Sequence, residues 1–151
     1  MNSVGDFEDM LELLEKHQVR YVIIGGLAFI YHAKPRYTKD MDLWVDPSEE
    51  NLARANLALA EFGSPDLLSR NPEEVLQIGV APDRIDILEK IEGVDFETAW
   101  GKRIRDRYGD VLVNWIDIDS LILAKQGIDN PRHQEDVRVL LQTRELRNRR
   151  P

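Results

Sequence analysis

Cysteine is missing from this 151-residue chain. A disulfide framework and any thiolate-based metal site are therefore excluded. Long apolar runs are missing too: none approaches the roughly 20 residues that cross a bilayer, so no membrane role is expected. The N-terminal stretch MNSVGDFEDMLELLEK is acidic and amphipathic, which is not the pattern of a secretory leader. A cytoplasmic location is the default expectation. No internal repeat, low-complexity linker, Ser–His–Asp arrangement, Walker-type loop or zinc spacing is visible. Net positive charge is also lacking, since 28 acidic and 20 basic side chains sum to −8. That balance disfavours a protein that coats nucleic acid with a broad basic face, but it allows a small basic pocket for a nucleotide or an RNA end.

What is present is an ordinary soluble composition, 42% hydrophobic and 32% charged. The length suits one domain with one core, residues 1–151, in which 19–141 form the core and 142–151 a basic tail. That tail carries Arg144, Arg147, Arg149 and Arg150 against Glu145, and it reads as a solvated, partly frayed terminus.

Apolar periodicity predicts helices over Asp6–Lys16, Leu27–His32, Glu49–Phe62, Phe96–Trp100, Asp119–Gln126 and Pro131–Arg147. Asp6 and Asn130 are the N-cap candidates at two of them, and Pro131 takes the favoured first helical position. Short β-rich runs predict strands at Tyr21–Ile24, Lys39–Val45, Val75–Val80, Arg84–Leu88, Arg103–Arg107 and Val111–Asn114. Asp66–Pro72 is undecided between helix and loop. Turns at Ala81-Pro82-Asp83 and Tyr108-Gly109-Asp110 predict hairpins, which argues against an all-parallel sheet. The expected class is α/β (α+β), a mixed sheet flanked by helices.

The chemistry concentrates in Val22–Asp46, VIIGGLAFIYHAKPRYTKDMDLWVD. Residues two apart on a strand share a face, so Asp40 and Asp42 project together. Two carboxylates that close repel, and a divalent cation resolves the repulsion. Oxygen ligands suit Mg²⁺ (or Mn²⁺), usually shared with substrate phosphates. Asp86 sits between isoleucines in Arg84-Ile85-Asp86-Ile87-Leu88. If its strand lies beside the Asp40–Asp42 strand, three carboxylates converge, enough for a metal-assisted phosphoryl transfer. Gly25-Gly26 ends a strand and opens a helix, where backbone can approach a phosphate and free N–H groups can meet it. Arg36, Thr38 and Lys39 lie just before the acids and suit either substrate phosphate or a solvated turn.

These residues resemble the nucleotidyltransferase superfamily with a DNA polymerase β-like fold. The matching elements are Ile23-Ile24-Gly25-Gly26, then Asp40-Met41-Asp42-Leu43, then Asp86. The fuller pattern, adding Ala28, His32, Arg36 and Thr38, is similar to the branch of AbiEii-type toxins and small stand-alone relatives. Lys125 on one helix and Arg132…Asp136 on the next continue the resemblance, which spans roughly residues 19–141. It implies that Asp40 and Asp42 bind metal and that Asp86 binds a second metal or acts as base. It implies that Gly26 and Lys125 contact the triphosphate of an NTP, with Gly25, Thr38 and Asp136 completing the nucleotide site. Gly26 stands where many members carry serine, so its share would come from backbone N–H groups alone.

Each residue also has a plainer reading. Asp86 could simply pair with Arg84, Asp136 with Arg132, and Lys125 could be a surface lysine. His32 reads as a hydrogen-bonded structural histidine, while His17 and His133 read as surface residues. Trp44, Trp100 and Trp115 read as core, with Trp44 an outside choice to edge a nucleobase. Two functions follow. The first is an enzyme that moves a nucleoside monophosphate from an NTP to an RNA end, a protein or a small molecule. The second is a nucleotide-binding, regulatory module acting through a partner protein, as in a toxin–antitoxin-like pair.

Overall fold

The computed structural model describes residues 3–149. Twelve elements follow in order: α1 (Ser3–Lys16), β1 (Tyr21–Ile24), α2 (Gly25–His32), β2 (Asp40–Val45), α3 (Glu49–Phe62), β3 (Val75–Ile78), β4 (Arg84–Leu88), α4 (Phe96–Lys102), β5 (Ile104–Tyr108), β6 (Val111–Trp115), α5 (Ile118–Gln126) and α6 (Pro131–Asn148). The strands form one mixed sheet in the order β3-β4-β2-β1-β6-β5. Hairpin-type antiparallel pairs lie at both edges, β3 with β4 and β5 with β6. Between them β2 pairs β4 in parallel, β1 pairs β2 antiparallel, and β1 pairs β6 in parallel. The fold is thus the expected mixed sheet flanked by helices.

Strand alternation sorts the core into two layers. Tyr21, Ile23, Met41, Leu43, Ile85 and Ile87 face α1 and α3. Val22, Ile24 and Trp44 face the other way and pack with Phe29, Phe96, Ile116, Leu121 and Leu140 from the remaining helices and their linkers. β1 is buried on both faces, which explains its unbroken apolar run YVII. Trp44 is 1% exposed and meets Phe96 edge to face at 5.1 Å, so it is core and does not edge a ligand.

Capping chemistry sets most helix ends. Ser48, Asp95, Asp117 and Asn130 each accept a backbone N–H from the first turn of the helix that follows. Gly63 closes α3 in the left-handed region at φ 92°. Several boundaries differ from the sequence expectation by a few residues. α1 begins at Ser3, so Asp6 lies in its first turn, where a carboxylate complements the exposed N–H groups, and does not cap it. β3 stops at Ile78, because Gly79 at φ 76° turns the chain out of the sheet. Asp66–Pro72 is a loop, held where Asn56 bonds the backbone N–H and carbonyl of Leu68.

Over the residues described, the basic tail lies within α6, as the helix expected over Pro131–Arg147 has it, and residues 145–149 are exposed. Residues 142–148 continue α6. Arg144 pairs with Asp119 at 2.9 Å, and Arg147 donates to the His32 carbonyl at 2.8 Å. Ion pairs and hydrogen bonds back to α2 and α5 draw this segment into the helix. Arg150 and Pro151 lie outside the described residues.

One buried polar side chain ties α3 to the sheet. Asn51 is fully buried, accepts the Arg20 N–H at 2.7 Å, and donates to the carbonyls of Arg20 at 3.0 Å and Asp46 at 2.8 Å. Replacing it leaves the Arg20 N–H and the Asp46 carbonyl without that partner, each costing about 1–3 kcal/mol when buried unpaired, while the Arg20 carbonyl keeps the Asp46 N–H at 3.1 Å. Asn51→Ala should lower the unfolding free energy in urea by about 3 kcal/mol, and a loss below about 1 kcal/mol would mean that water reaches those groups.

Candidate active site

Register brings the acids together. β2 and β4 run parallel with Asp42 opposite Asp86 and Asp40 opposite Arg84. The sequence places Asp40 and Asp42 on one face, but only this pairing adds Asp86. One oxygen from each of the three carboxylates lies within 4.8 Å of the others. Asp86 is buried, while Asp40 and Asp42 are partly buried.

Such a cluster is costly without a cation. Burial first, then the charges of Asp40 and Asp86, push the Asp42 carboxyl up to about 7. Burial also raises Asp86, against the pull of Arg84. Arg84 supplies an internal positive charge: its Nη2 lies 2.7 Å from Asp40 Oδ2 and its Nε 3.2 Å from Asp86 Oδ1. The second approach is an ion pair without hydrogen-bond alignment, since Arg84 Nε and Asp86 Oδ1 each remain buried without a hydrogen-bond partner. Arg84 thus pairs with Asp86 as the plainer reading allows, and it also bridges to Asp40. An all-oxygen donor set, close-set and only partly neutralised, fits Mg²⁺ or Mn²⁺.

The glycine pair has a structural duty beside any ligand. Gly25 has φ +67° and opens α2 directly after β1, and a Cβ there would fall inside the Asp42 carboxylate. Its bareness therefore makes room for Asp42 as well as for the turn. A Cβ at Gly26 would lie 2.8 Å from Thr38 Oγ1. Thr38 thus sets its hydroxyl against the space a side chain at position 26 would use, and the same hydroxyl donates to the Asp40 carbonyl at 3.3 Å. A hydroxyl stands beside position 26 after all, delivered by Thr38. Ile24 offers no side-chain cap to the first turn of α2.

A cationic wall faces these groups. Lys125, 3% exposed on α5, donates to Asp136 Oδ2 of α6 at 2.9 Å. Arg36, from the loop before β2, lies 2.6 Å from Asp136 Oδ1 and stacks over the Phe29 ring at 4.2 Å. Asp136 therefore holds two cations from distant parts of the chain, and Arg132 is not its partner. Burial would raise the Asp136 carboxyl, but Arg36 and Lys125 hold it below the usual range. Burial lowers the Lys125 ammonium, with Asp136 opposing. His133 belongs here too, with Nδ1 3.4 Å from Lys125 Nζ. Burial and then the Lys125 charge lower its proton affinity, and the side chain is only partly exposed. Its signal in the sequence was its position one turn from Asp136 on the same helical face.

Asp42, Asp86, Gly25, Lys125 and His133 all line one cavity of about 500 Å³, whose apolar sides include Ile24, Leu88, Leu121 and Ile128. Gln77 joins them from β3, opposite Asp86 in register. Lys39 is exposed at the strand entrance, outside this set. His32 is structural: its Nε2 lies 2.7 Å from the Ile116 carbonyl. His17 is half-buried and lies 2.7 Å from Glu61.

Fold comparison agrees with this geometry. ANT(2'')-Ia, solved with adenylyl-2''-tobramycin, superposes with TM-score 0.65 over 93% of this chain and 88% of its own, at 16% identity. The lincosamide antibiotic adenylyltransferase LnuA, solved with lincomycin, gives TM-score 0.62 over 92% and 96%, at 17% identity. A Thermotoga maritima protein, solved as a candidate nucleotidyltransferase, gives TM-score 0.56 over 95% and 91%, at 16% identity. No family model and no curated protein matches the chain by sequence. The chain thus has the nucleotidyltransferase fold. Among the described residues no helix is long and apolar enough to cross a membrane.

The Asp42 shift sets the direction of a pH dependence. A carboxyl held near 7 when folded, against about 3.8 otherwise, favours the fold while it is protonated. That stability is complete below the ordinary carboxyl range and is lost as pH rises through about 7. In EDTA the melting temperature should fall over this interval. Asp42→Asn should flatten the fall, and an equally steep fall in that variant would assign it to another group.

Proposed function

We propose that this protein is a metal-dependent nucleotidyltransferase. It transfers a nucleoside monophosphate from an NTP to an acceptor oxygen and releases pyrophosphate. The observation that carries this reading is the three-carboxylate cluster, within 4.8 Å, of which Asp42 and Asp86 line a cavity whose wall holds Lys125. Asp40, Asp42 and Asp86 would hold Mg²⁺ or Mn²⁺, which when bound neutralises charge on the transferring phosphoryl group.

The chain's own residues divide the remaining work. Lys125 gives the triphosphate a buried ammonium, kept in place by Asp136. The backbone N–H groups at Gly25-Gly26, with the Thr38 hydroxyl, line the phosphate approach at the start of α2. The new bond forms between the acceptor oxygen and the α-phosphorus. The bond from that phosphorus to the leaving pyrophosphate breaks, and the acceptor proton passes to Asp86, the carboxylate that β4 adds to the cluster. Residues 1–151 would work as one unit.

A small hydroxylated molecule is our first choice of acceptor. It is supported by ANT(2'')-Ia and LnuA, which were solved with antibiotic-derived ligands on chains of nearly matching extent. A second reading keeps the fold as a nucleotide-binding partner in an AbiEii-like, toxin–antitoxin-type pair in the cytoplasm. Arg84 favours it, because an internal cation already balances part of the acidic cluster.

One assay separates the two. The protein is incubated with Mg²⁺, α-labelled NTPs and, in separate arms, a library of hydroxylated small molecules, RNA and host protein. Transfer of label is expected in the small-molecule arm, and transfer to RNA or protein instead would reassign the acceptor. Asp42→Ala should reduce transfer by at least about a hundredfold. Lys125→Ala should weaken NTP binding by about tenfold or more. Calorimetric NTP binding without transfer in any arm would sink the enzyme and leave the binding module.

A further inference from the structure

A second site lies at the end of β1 opposite Gly25. There a cavity of about 230 Å³ is lined by Arg20, Arg103 and Arg105 together with Trp100, Asn114 and Glu15. Three guanidinium groups gather in a chain of net charge −8, so the clustering runs against the overall composition. Arg20 and Arg103 share one indole: their guanidinium carbons lie 4.9 and 3.7 Å from the Trp100 ring centre.

The partners of these cations are unevenly shared. Arg20 is bound by Asp46 at 2.9 Å and Glu97 at 2.7 Å. Arg105 is bound by Glu15 at 3.0 Å and by the Asn114 side chain at 2.9 Å. Glu15, the acid lining the cavity, is further occupied by the Tyr21 hydroxyl at 2.7 Å. Arg103 has no such partner. Its Nη1 donates to the Trp100 carbonyl at 2.8 Å, its Nε is buried without a hydrogen bond, and no carboxylate among the described residues pairs with it. Burial, followed by the charges of Arg105 and Arg20, lowers its proton affinity. An anion would relieve that crowding.

We propose that this cavity binds a phosphoryl group, held by Arg103 and Arg105 beside the Trp100 indole. Planar guanidinium forks match tetrahedral oxyanions in two-pronged hydrogen bonds. The volume is below the roughly 300 Å³ at which whole small-molecule pockets begin. The site therefore takes one phosphoryl head, either free phosphate or the end of a phosphomonoester whose remainder stays outside. It is separate from the acidic cluster and from Lys125, so it stands or falls apart from the transferase reading.

Trp100 reports on occupancy. In the ¹⁵N-labelled full chain, its indole N–H signal is identified by its loss in Trp100→Phe. Inorganic phosphate and glycerol phosphate are then titrated without Mg²⁺ against chloride at constant ionic strength. A saturable shift of that signal with either ligand is expected, and the tighter one identifies the ligand's form. Arg103→Gln should weaken binding at least tenfold, and Arg105→Gln decides the matter should the first variant not fold. Lys125→Ala should leave the titration unchanged. The proposal is overturned by no shift beyond the chloride control, by a shift that survives both arginine changes, or by one abolished through Lys125→Ala.

Discussion

Three carboxylates held within 4.8 Å repel one another, and much of the local design answers that repulsion. Asp42 meets it by holding its proton up to about 7. Arg84 meets it by bridging Asp40 and Asp86 from the neighbouring strand position. Gly25 meets it by giving up a side chain, so that the Asp42 carboxylate has somewhere to sit. Each of these groups belongs to β2, β4 or the start of α2. The central strands therefore carry both the apolar core and the charge it must tolerate.

Support for the cluster comes from outside the strands. Asp136, late in the chain, fixes Lys125 and Arg36 across a sequence separation no local rule would join. Its carboxylate is one of the few buried charges here with two cationic partners, which is the condition under which a buried ion survives. On the far side Asn51 clamps α3 to the ends of β1 and β2 through three backbone bonds. The acidic floor and the cationic wall are thus mounted on elements that packing and buried polar links hold in place.

Much of this is legible in the sequence. The alternation around Asp40 and Asp42, the Gly-Gly stop and the isoleucine-flanked Asp86 all follow from strand geometry. The helix start at Pro131 follows from the capping residue Asn130, and the structure keeps it. The misses share one cause. The helix over Pro131–Arg147 is legible, but the partners that Arg144 and Arg147 find on α5 and α2 are not. His133 read as surface because its neighbours in sequence are polar, although its helix turns it toward Lys125. Thr38 and Gly26 looked independent, but they share one pocket of space.

The sequence by itself determined the inventory: which segments become strands, which carry paired acids, and where glycine opens the turn. Those are short-range matters of periodicity and backbone freedom. Tertiary structure alone decided which acids and cations meet. The parallel register of β2 and β4 put Asp86 beside Asp42 rather than a residue away, where its side chain would face the other layer. The packing of α6 on α5 delivered Asp136 to Lys125. Pairing register and helix docking are long-range choices, fixed by the burial of two apolar layers at once, and no window of sequence contains them.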